Sequence, residues 1–309
     1  MRIEPHPIAR QPPDLLPMWT TLTTADLIKS RVGDETLRIL DCRHQLTNPE
    51  YGPQQYAAGH IPGAIHAHID RDLSSAPRPD TGRHPLPDPT RFKETLGRWG
   101  IDQNVQVVVY DDQGGIWAAR AWWLLQDYGH KAVALLDGGI QAWKESAGML
   151  TTQAPNFRRR RFDGEPGHRP KIEAEHLRNA LERGHVRALD ARAPERYRGE
   201  TEPVDPVAGH IPGAGNLPAV SLVTKSQRLL AIPELRAMLE PAMHGHKPPE
   251  VAAYCGSGVT GSLLVLAYEA AGLGSIRLYP GSWSEWIRDP RRPIATGTET
   301  ETTTGTGHV

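Results

Sequence analysis

The sequence predicts an α/β protein with two copies of one domain, each a mostly parallel sheet with helices on both faces. The phrase Gly-His-Ile-Pro-Gly-Ala occupies residues 59–64 and returns letter for letter at residues 209–214. Apolar, β-branched stretches such as 105–110 alternate with helix-like stretches such as 118–128. That alternation is typical of a parallel sheet covered by helices. A chain of 309 residues is long enough for two such domains, each with its own core.

Three further phrases repeat in the same order. A strand ends in Leu-Asp-X-Arg at 40–43 and at 189–192, upstream of each copy of the first phrase. Downstream, 105–111 corresponds to 251–255, and 136–143 corresponds to 279–286. Four matched phrases in one order indicate an internal duplication. We therefore expect four segments, namely a first domain at 18–148, a linker at 149–170, a second domain at 171–294 and a disordered tail at 295–309.

The linker and the tail are recognised by their composition. The linker contains four consecutive arginines at 158–161, together with prolines and glycines. We interpret this run as solvated or paired with acids, and a nucleic-acid contact is the alternative. Thr, Gly and Glu make up almost the whole tail, which is typical of disorder.

Composition limits the cellular compartments and the kinds of binding partner that suit the protein. The formal net charge is −1 and the sequence pI is about 6.9, so no global charge attracts nucleic acid or an anionic membrane. The two cysteines are too few for a disulfide framework and suggest a reducing compartment. No apolar run of about 18 residues is present, and the proline-rich N-terminal segment does not resemble a secretory signal. We expect a cytoplasmic protein without a membrane span.

Cys255 stands between a short apolar strand, 251–254, and a glycine-rich loop that leads into a helix-like stretch, 263–271. Gly256 and Gly258 allow the backbone to curl closely, so that successive amides and the helix start can stabilise an anion. A cysteine in this place is expected to have a lowered pKa and to act as a thiolate nucleophile. The alternative is a small buried residue at a strand end, with glycines that serve only the turn.

The two copies differ at this cysteine. Asp111 of the first copy takes the position of Cys255, and an aspartate cannot replace a thiolate in sulfur chemistry. The first copy is therefore predicted to be catalytically silent and to form one wall of the active cleft, since pockets often lie between domains. Cys42 lies in the repeated strand phrase, and we interpret it as a packed small residue.

The tandem domains, the repeated Gly-His-Ile-Pro-Gly phrase and the Cys255 loop resemble the two-domain rhodanese sulfurtransferases from about residue 19 to 294. Cys-Gly-Ser-Gly-Val-Thr at 255–260 is similar to the loop of 3-mercaptopyruvate sulfurtransferases. Gly-Ser-Trp-Ser-Glu-Trp at 281–286 looks like the same branch. The thiosulfate-preferring branch usually has Arg-Lys in place of Gly256-Ser257. The resemblance implies two tandem rhodanese-like domains and ping-pong sulfur transfer.

In that mechanism, the Cys255 thiolate attacks the outer sulfur of a donor and holds it as a persulfide. The thiolate and the persulfide are both predicted to be stabilised by backbone amides of the loop. The residues that supply these amides are Gly256, Gly258, Val259 and Thr260. A small thiol, cyanide or a thioredoxin-like protein then removes the sulfur. The resemblance implies no metal and no organic cofactor.

The resemblance also implies which side chains bind the sulfur donor and assist proton transfer to its leaving group. Ser257 resembles the family serine that assists proton transfer to the leaving enolate, and His60 resembles its histidine partner. A turn hydroxyl is the alternative for Ser257, and a structural role is the alternative for His60, because His210 fills the same slot in the other copy. Arg196 matches the arginine that binds the donor's anionic end. Arg192 is a second candidate, or a structural ion-pair former.

Two departures from the family pattern leave the donor open. A second carboxylate-binding arginine is expected about nine residues after Arg196, but Glu-Pro-Val-Asp at 202–205 contains none. The acid of the serine–histidine relay has no clear match before His60, and Glu50 is merely the nearest one. We expect 3-mercaptopyruvate as donor, because the loop lacks the cations that suit a compact dianion. Thiosulfate is the alternative.

Other classes of protein fit less well. A cysteine phosphatase needs an arginine six positions after the cysteine, where this chain has Gly261. A dithiol enzyme needs a nearby resolving cysteine. A non-catalytic sulfur-sensing module stays open as an alternative, although such modules commonly lose the cysteine. Histidine pairs at 66/68 and 244/246 lack a cysteine or carboxylate constellation, so no metal site is predicted.

Overall fold

Five parallel strands form the sheet of the first domain in the computed structural model, which describes residues 18–298. The strands are β1 (Leu22–Thr23), β2 (Leu37–Asp41), β3 (Ala64–His66), β4 (Gln106–Tyr110) and β5 (Val133–Leu136). Their order across the sheet is β1-β5-β4-β2-β3, and every pairing is parallel. Every residue of β2 and β4 is buried, as in strands covered on both faces.

The second domain repeats this topology with four strands. They are β6 (Arg187–Asp190), β7 (Gly215–Asn216), β8 (Val251–Tyr254) and β9 (Arg277–Leu278). The parallel order is β7-β6-β8-β9, so β6 corresponds to β2 and β8 to β4. Lys171 adds a parallel bridge to Leu278, at the place that β1 takes beside β5. The predicted fold class, two mostly parallel sheets with helices on both faces, is confirmed.

Helices connect the strands in both domains. In the first domain they are α1 (Ala25–Lys29), α2 (Tyr51–Ala58), α3 (Ile69–Asp72), α4 (Pro89–Arg98), α5 (Ala118–Asp127) and α6 (Gly139–Glu145). In the second they are α7 (Ala174–Glu182), α8 (Pro194–Tyr197), α9 (Ile232–Ala242), α10 (Gly261–Ala270) and α11 (Ser282–Trp286). Short 3-10 turns occur at Ala219–Leu222 and Pro248–Glu250.

Helices α5 and α10 are apolar on nearly every side, because each packs between its own sheet and the other domain. Eight consecutive residues of α10, 261–268, are buried. The two helices contact each other, and one apolar cluster joins Trp123 of α5 with Leu263 and Leu264 of α10. Each helix follows the loop at the carboxyl end of its matched strand, β4 or β8. The loops that begin with Asp111 and Cys255 therefore lie near the domain interface.

The segment that connects the domains is held against the first one. Thr151 pairs with His60 in an antiparallel bridge, and the Arg160 amide donates to Gly97 at 3.0 Å. In the arginine run, Arg160 forms an ion pair with Asp102 and Arg161 with Asp163, which agrees with the acid-paired interpretation.

At the other end, the backbone makes regular contacts past the predicted start of the tail. Ala295 pairs with His210, and the Gly297 amide donates to the Arg198 carbonyl at 2.8 Å. The predicted disorder of residues 299–309 lies outside the described residues. Within residues 18–298, no helix has both the length and the apolar character required to cross a bilayer.

Candidate active site

Cys255 lies directly after β8, with its side chain buried at the base of the predicted loop. The Gly258 amide donates to Cys255 Sγ at 3.1 Å. Gly258 has a φ of +78°, and a Cβ at this position would collide with the Pro280 carbonyl oxygen. The loop therefore reaches the sulfur only because residue 258 is a glycine.

The first domain shows what such a loop can hold. The Asp111 carboxylate accepts four backbone amides at 2.8–3.0 Å, which belong to Gln113, Gly115, Trp117 and Ala118. Burial raises the pKa of Asp111, and these amides oppose the rise. An internal carboxylate thus fills the anion cradle of the first copy.

The corresponding cradle at Cys255 is open. Within residues 18–298, the amides of Val259, Thr260 and Gly261 have no protein acceptor. Among the predicted loop amides, Gly258 already contacts the sulfur, while Gly256, Val259 and Thr260 line the same curl. The comparison with Asp111 indicates that a second anionic atom on Cys255 would find several amide donors.

Ser282 supports the base of the loop, a role that the sequence analysis missed. Its Oγ accepts the Cys255 amide at 3.1 Å and donates to the Tyr279 carbonyl at 2.9 Å. Its φ of +53° is unusual for a residue with a side chain. Gly139 has almost the same φ, +54°, in the first copy. The signal was the matched phrase itself, in which Ser282 replaces a glycine.

Ser257 contacts a histidine of the first domain. His84 Nδ1 lies 2.7 Å from Ser257 Oγ, and His84 Nε2 lies 3.0 Å from Asp70 Oδ1. A carboxylate only accepts, so Nε2 carries the ring proton and Nδ1 accepts from the serine hydroxyl. Burial lowers the pKa of His84, and the hydrogen bond from His84 lowers the pKa of Asp70. The resting relay is therefore a neutral imidazole between a hydroxyl and a carboxylate.

The predicted pairing of Ser257 with His60 is wrong. Both ring nitrogens of His60 lie near backbone carbonyls, of Tyr56 at 2.8 Å and of Gln153 at 3.1 Å. The ring also stacks on Tyr56, just as His210 stacks on Tyr197 in the second domain. The repeated histidines share a structural role, because each ties its helix to the following turn.

Arg196 lies beside the loop, where the resemblance places a donor-binding arginine. Both its terminal nitrogens are 3.7–3.8 Å from the point where a Cβ on Gly256 would lie. Its guanidinium donates to Glu202 at 2.6 and 3.1 Å, and Nη2 also donates to Asp205 at 3.1 Å. Arg83 of the first domain approaches the same Gly256 position, to 2.9 Å.

Arg192 has a structural position instead of a donor-binding one. Its guanidinium binds Asp190 and the Gly209 carbonyl, both at 2.6 Å. Arg43 binds Asp41 and the Gly59 carbonyl in the same way in the first copy. The first copy lacks a counterpart of Cys255 and keeps the same arrangement, so the arrangement has a structural role. In each copy it fastens the end of the strand to the repeated Gly-His-Ile-Pro-Gly-Ala phrase.

Arg120 brings a buried positive charge from the first domain to the back of the Cys255 loop. It donates to the carbonyls of Leu73, His84 and Pro85 at 3.1–3.4 Å and reaches the Gly258 carbonyl at 3.5 Å. Within residues 18–298 it forms no ion pair with a carboxylate. Burial lowers its pKa to about 10, and attraction to Cys255 opposes this. An arginine inside the apolar α5 helix was the available sequence signal.

Cys42 is fully buried, and burial raises the pKa of its thiol well above the usual value. This agrees with the interpretation of Cys42 as a packed residue.

Among the described residues, His44, His68 and Asp70 place ligand atoms within 4.8 Å of one another and could hold a metal ion. Asp70 already accepts from His84, and His68 Nδ1 accepts the Asp70 amide at 3.1 Å.

A family model for the rhodanese-like domain matches residues 24–146 and 173–289. The chain belongs to the rhodanese family. Each matched range contains one copy of all four repeated phrases, and the second contains Cys255 with its loop.

Relatives align over nearly the whole chain. A protein of Pseudomonas aeruginosa named as a probable 3-mercaptopyruvate sulfurtransferase is 46% identical over 278 residues, 89% of this chain and 98% of the relative. The thiosulfate/3-mercaptopyruvate sulfurtransferase 2 of Arabidopsis thaliana is 30% identical, with 88% of this chain and 86% of the relative covered. The structure of 3-mercaptopyruvate sulfurtransferase from Leishmania major superposes with a TM-score of 0.78 at 28% identity, covering 88% and 76% of the two chains.

Proposed function

We propose that this protein transfers sulfur from 3-mercaptopyruvate, through a persulfide on Cys255, to a thiol or cyanide acceptor. The observation that carries the proposal is the hydrogen-bonded series from Ser257 through His84 to Asp70, beside an open anion cradle. A proton relay is needed when the leaving group is an enolate. It has no comparable use when the leaving group is sulfite.

The first half-reaction uses the thiolate and the relay. Cys255 Sγ attacks the donor sulfur, a sulfur–sulfur bond forms, and the carbon–sulfur bond breaks with its electron pair on the enolate of pyruvate. The proton of the transferred S–H group must reach the enolate carbon. Ser257 accepts it while passing its own proton to His84 Nδ1, and the two transfers then reverse toward the enolate. Asp70 stabilises the transient imidazolium.

The second half-reaction restores the enzyme. A thiolate or cyanide attacks the outer sulfur, and the bonding pair returns to Cys255. Amides of Gly258, Val259 and Thr260, with Arg120 behind them, stabilise both the thiolate and the persulfide. We propose Arg196 as the cation that binds the donor carboxylate.

Thiosulfate is the second candidate donor, because two arginines flank Gly256 although the loop itself has no cation.

The two free cysteines support a reducing compartment, and we propose that the protein is located in the cytoplasm.

Intact-mass measurement after exposure to each donor tests the proposal. We expect one added sulfur atom on the wild type with 3-mercaptopyruvate, loss of the adduct after treatment with cyanide, and none on Cys255→Ser. Cys42→Ser, which removes the other thiol, should keep the adduct. A wild-type protein that gains no sulfur from either donor would contradict sulfur transfer. A larger yield with thiosulfate would reverse the order of the donors.

A further inference from the structure

We propose that Arg83, from the domain without the catalytic cysteine, binds the donor together with Arg196, and that Asp205 occupies the donor-carboxylate position until a donor displaces it. This inference rests on the proposed function and names the residues that set its selectivity.

The first domain delivers Arg83 to the cysteine loop through a tight backbone contact. A Cβ on Gly82 would lie 2.5 Å from the Gly281 carbonyl oxygen, so only glycine fits there. The Arg83 amide donates to Ser284 Oγ at 3.0 Å. These contacts fix the segment against the turn below Cys255, and the Arg83 guanidinium reaches 2.9 Å from a Cβ position on Gly256.

Asp205 bridges the two guanidinium groups. Its Oδ1 accepts from Arg83, and its Oδ2 accepts from Arg196 at 3.1 Å. The side chain is only 2% exposed. One carboxylate that places an oxygen on each of two arginines has the geometry expected of a bound α-keto acid carboxylate. Asp205 therefore shows where, beside Gly256, such a group would sit.

The neighbouring carboxylate, Glu202, differs from Asp205 in how firmly it is held. Glu202 accepts from Arg192, from Arg196 and from the amides of Val204 and Asp205. Within residues 18–298, the Asp205 carboxylate accepts hydrogen bonds from the two arginines alone. Glu202 is thus a fixed part of the wall, whereas Asp205 can turn away once another anion takes its two partners.

Arg83 has hydrogen-bonding capacity that the described residues leave unused. Among the described residues, its buried Nε has no hydrogen-bond partner. A buried guanidinium N–H without an acceptor is costly, so the Arg83 guanidinium gains from an anionic ligand that accepts a hydrogen bond from it. The arginine that the family pattern places after Arg196 is thus replaced by one from the other domain.

Asp205→Asn is the decisive variant, because it removes the internal anion and keeps the shape. We expect the KM for the mercaptopyruvate donor to fall by about threefold to tenfold and that for thiosulfate by more, since a dianion gains most from the freed charge. Arg83→Met should raise both KM values about tenfold with little change in kcat. In the double variant, the gain from Asp205→Asn should disappear.

Glu200→Gln is the matched control, because Glu200 is an exposed carboxylate of the same segment paired with Arg198. It should leave both KM values unchanged. Unchanged KM values in Asp205→Asn, with a wild type that forms the adduct, would overturn this inference alone. A wild type that forms no adduct would instead remove the proposed function. If Arg83→Met fails to fold, the Asp205→Asn result still decides.

Discussion

At the scale of single residues, Ser257 and His84 are expected to act on one donor more than on the other. Ser257→Ala or His84→Gln should lower kcat with 3-mercaptopyruvate by roughly 10²-fold, because the enolate loses its proton relay. Persulfide formation from thiosulfate should change far less, since sulfite leaves without a proton. Single-turnover formation of the Cys255 adduct from each donor measures the difference.

His60→Gln provides the comparison for that prediction. His60 holds the Tyr56 and Gln153 carbonyls and does not contact Ser257, so its loss should reduce stability and leave the donor preference intact. Equal losses with both donors in His84→Gln, or a selective loss in His60→Gln, would contradict the assigned relay.

The same residues show how far the sequence could lead. Cys255, its loop and the replacement of the cysteine by Asp111 in the first copy were recognisable because a duplicated chain allows position-by-position comparison. Ser257 and His84 are 173 residues apart and meet only through domain packing, so no local pattern could join them. The repeat did contain a warning about His60, because a residue present in both copies suits a role that both copies share. His84 lies outside the repeated phrases.

At the scale of the element, the proposed stabilisation of the Cys255 anion by the loop between β8 and α10 depends on the backbone conformation of the loop more than on its side chains. Gly258→Ala should reduce adduct formation by at least about 10²-fold, because the new Cβ meets the Pro280 carbonyl and moves the amide away from Sγ. Gly245→Ala is the matched control. Gly245 has a similar φ of +82°, but nothing lies within 4 Å of the added Cβ.

The two glycine variants separate backbone strain from loss of the loop. Gly245→Ala should cost about 1 kcal/mol in the free energy of unfolding and leave sulfur transfer unchanged. The same unfolding measurement on Gly258→Ala shows whether the variant is folded when it fails to form the adduct. A folded Gly258→Ala protein with wild-type adduct yield would show that the loop tolerates the change.

At the scale of the whole molecule, the first domain, which has Asp111 in place of Cys255, completes the proposed site. It supplies His84 and Asp70 to the proposed relay, Arg120 behind the loop and Arg83 beside the proposed donor position. The sequence predicts that this domain forms a wall of the cleft. Its polar contributions could not be read from the repeat, because these side chains lie on segments that differ between the copies. In the proposed site, the second domain therefore supplies the nucleophile, and the first domain supplies the proton relay and two of the positive charges.

The packing of the first domain against the connecting segment also makes stability depend on pH. His130 is fully buried, its ring lies 6.1 Å from that of Phe162, and burial lowers its pKa to about 4. A histidine with a folded-state pKa below its unfolded value, near 6.5, stabilises the protein fully above pH 6.5 and loses this contribution as the pH falls toward 4. Between pH 7 and pH 5 the loss from this residue should be roughly 2 kcal/mol.

Urea unfolding of the full chain at pH 7 and pH 5 tests this expectation. His130→Gln should lower stability at pH 7, but its stability should fall less on acidification than that of the wild type, by roughly 2 kcal/mol. His176→Gln, at an exposed position on α7, should keep the wild-type dependence. The other buried histidines with lowered pKa, His44 and His84 among them, still titrate in both variants. Only the difference between His130→Gln and the wild type therefore belongs to His130, and an identical acid dependence of the two would show that its ring is not protonated on unfolding.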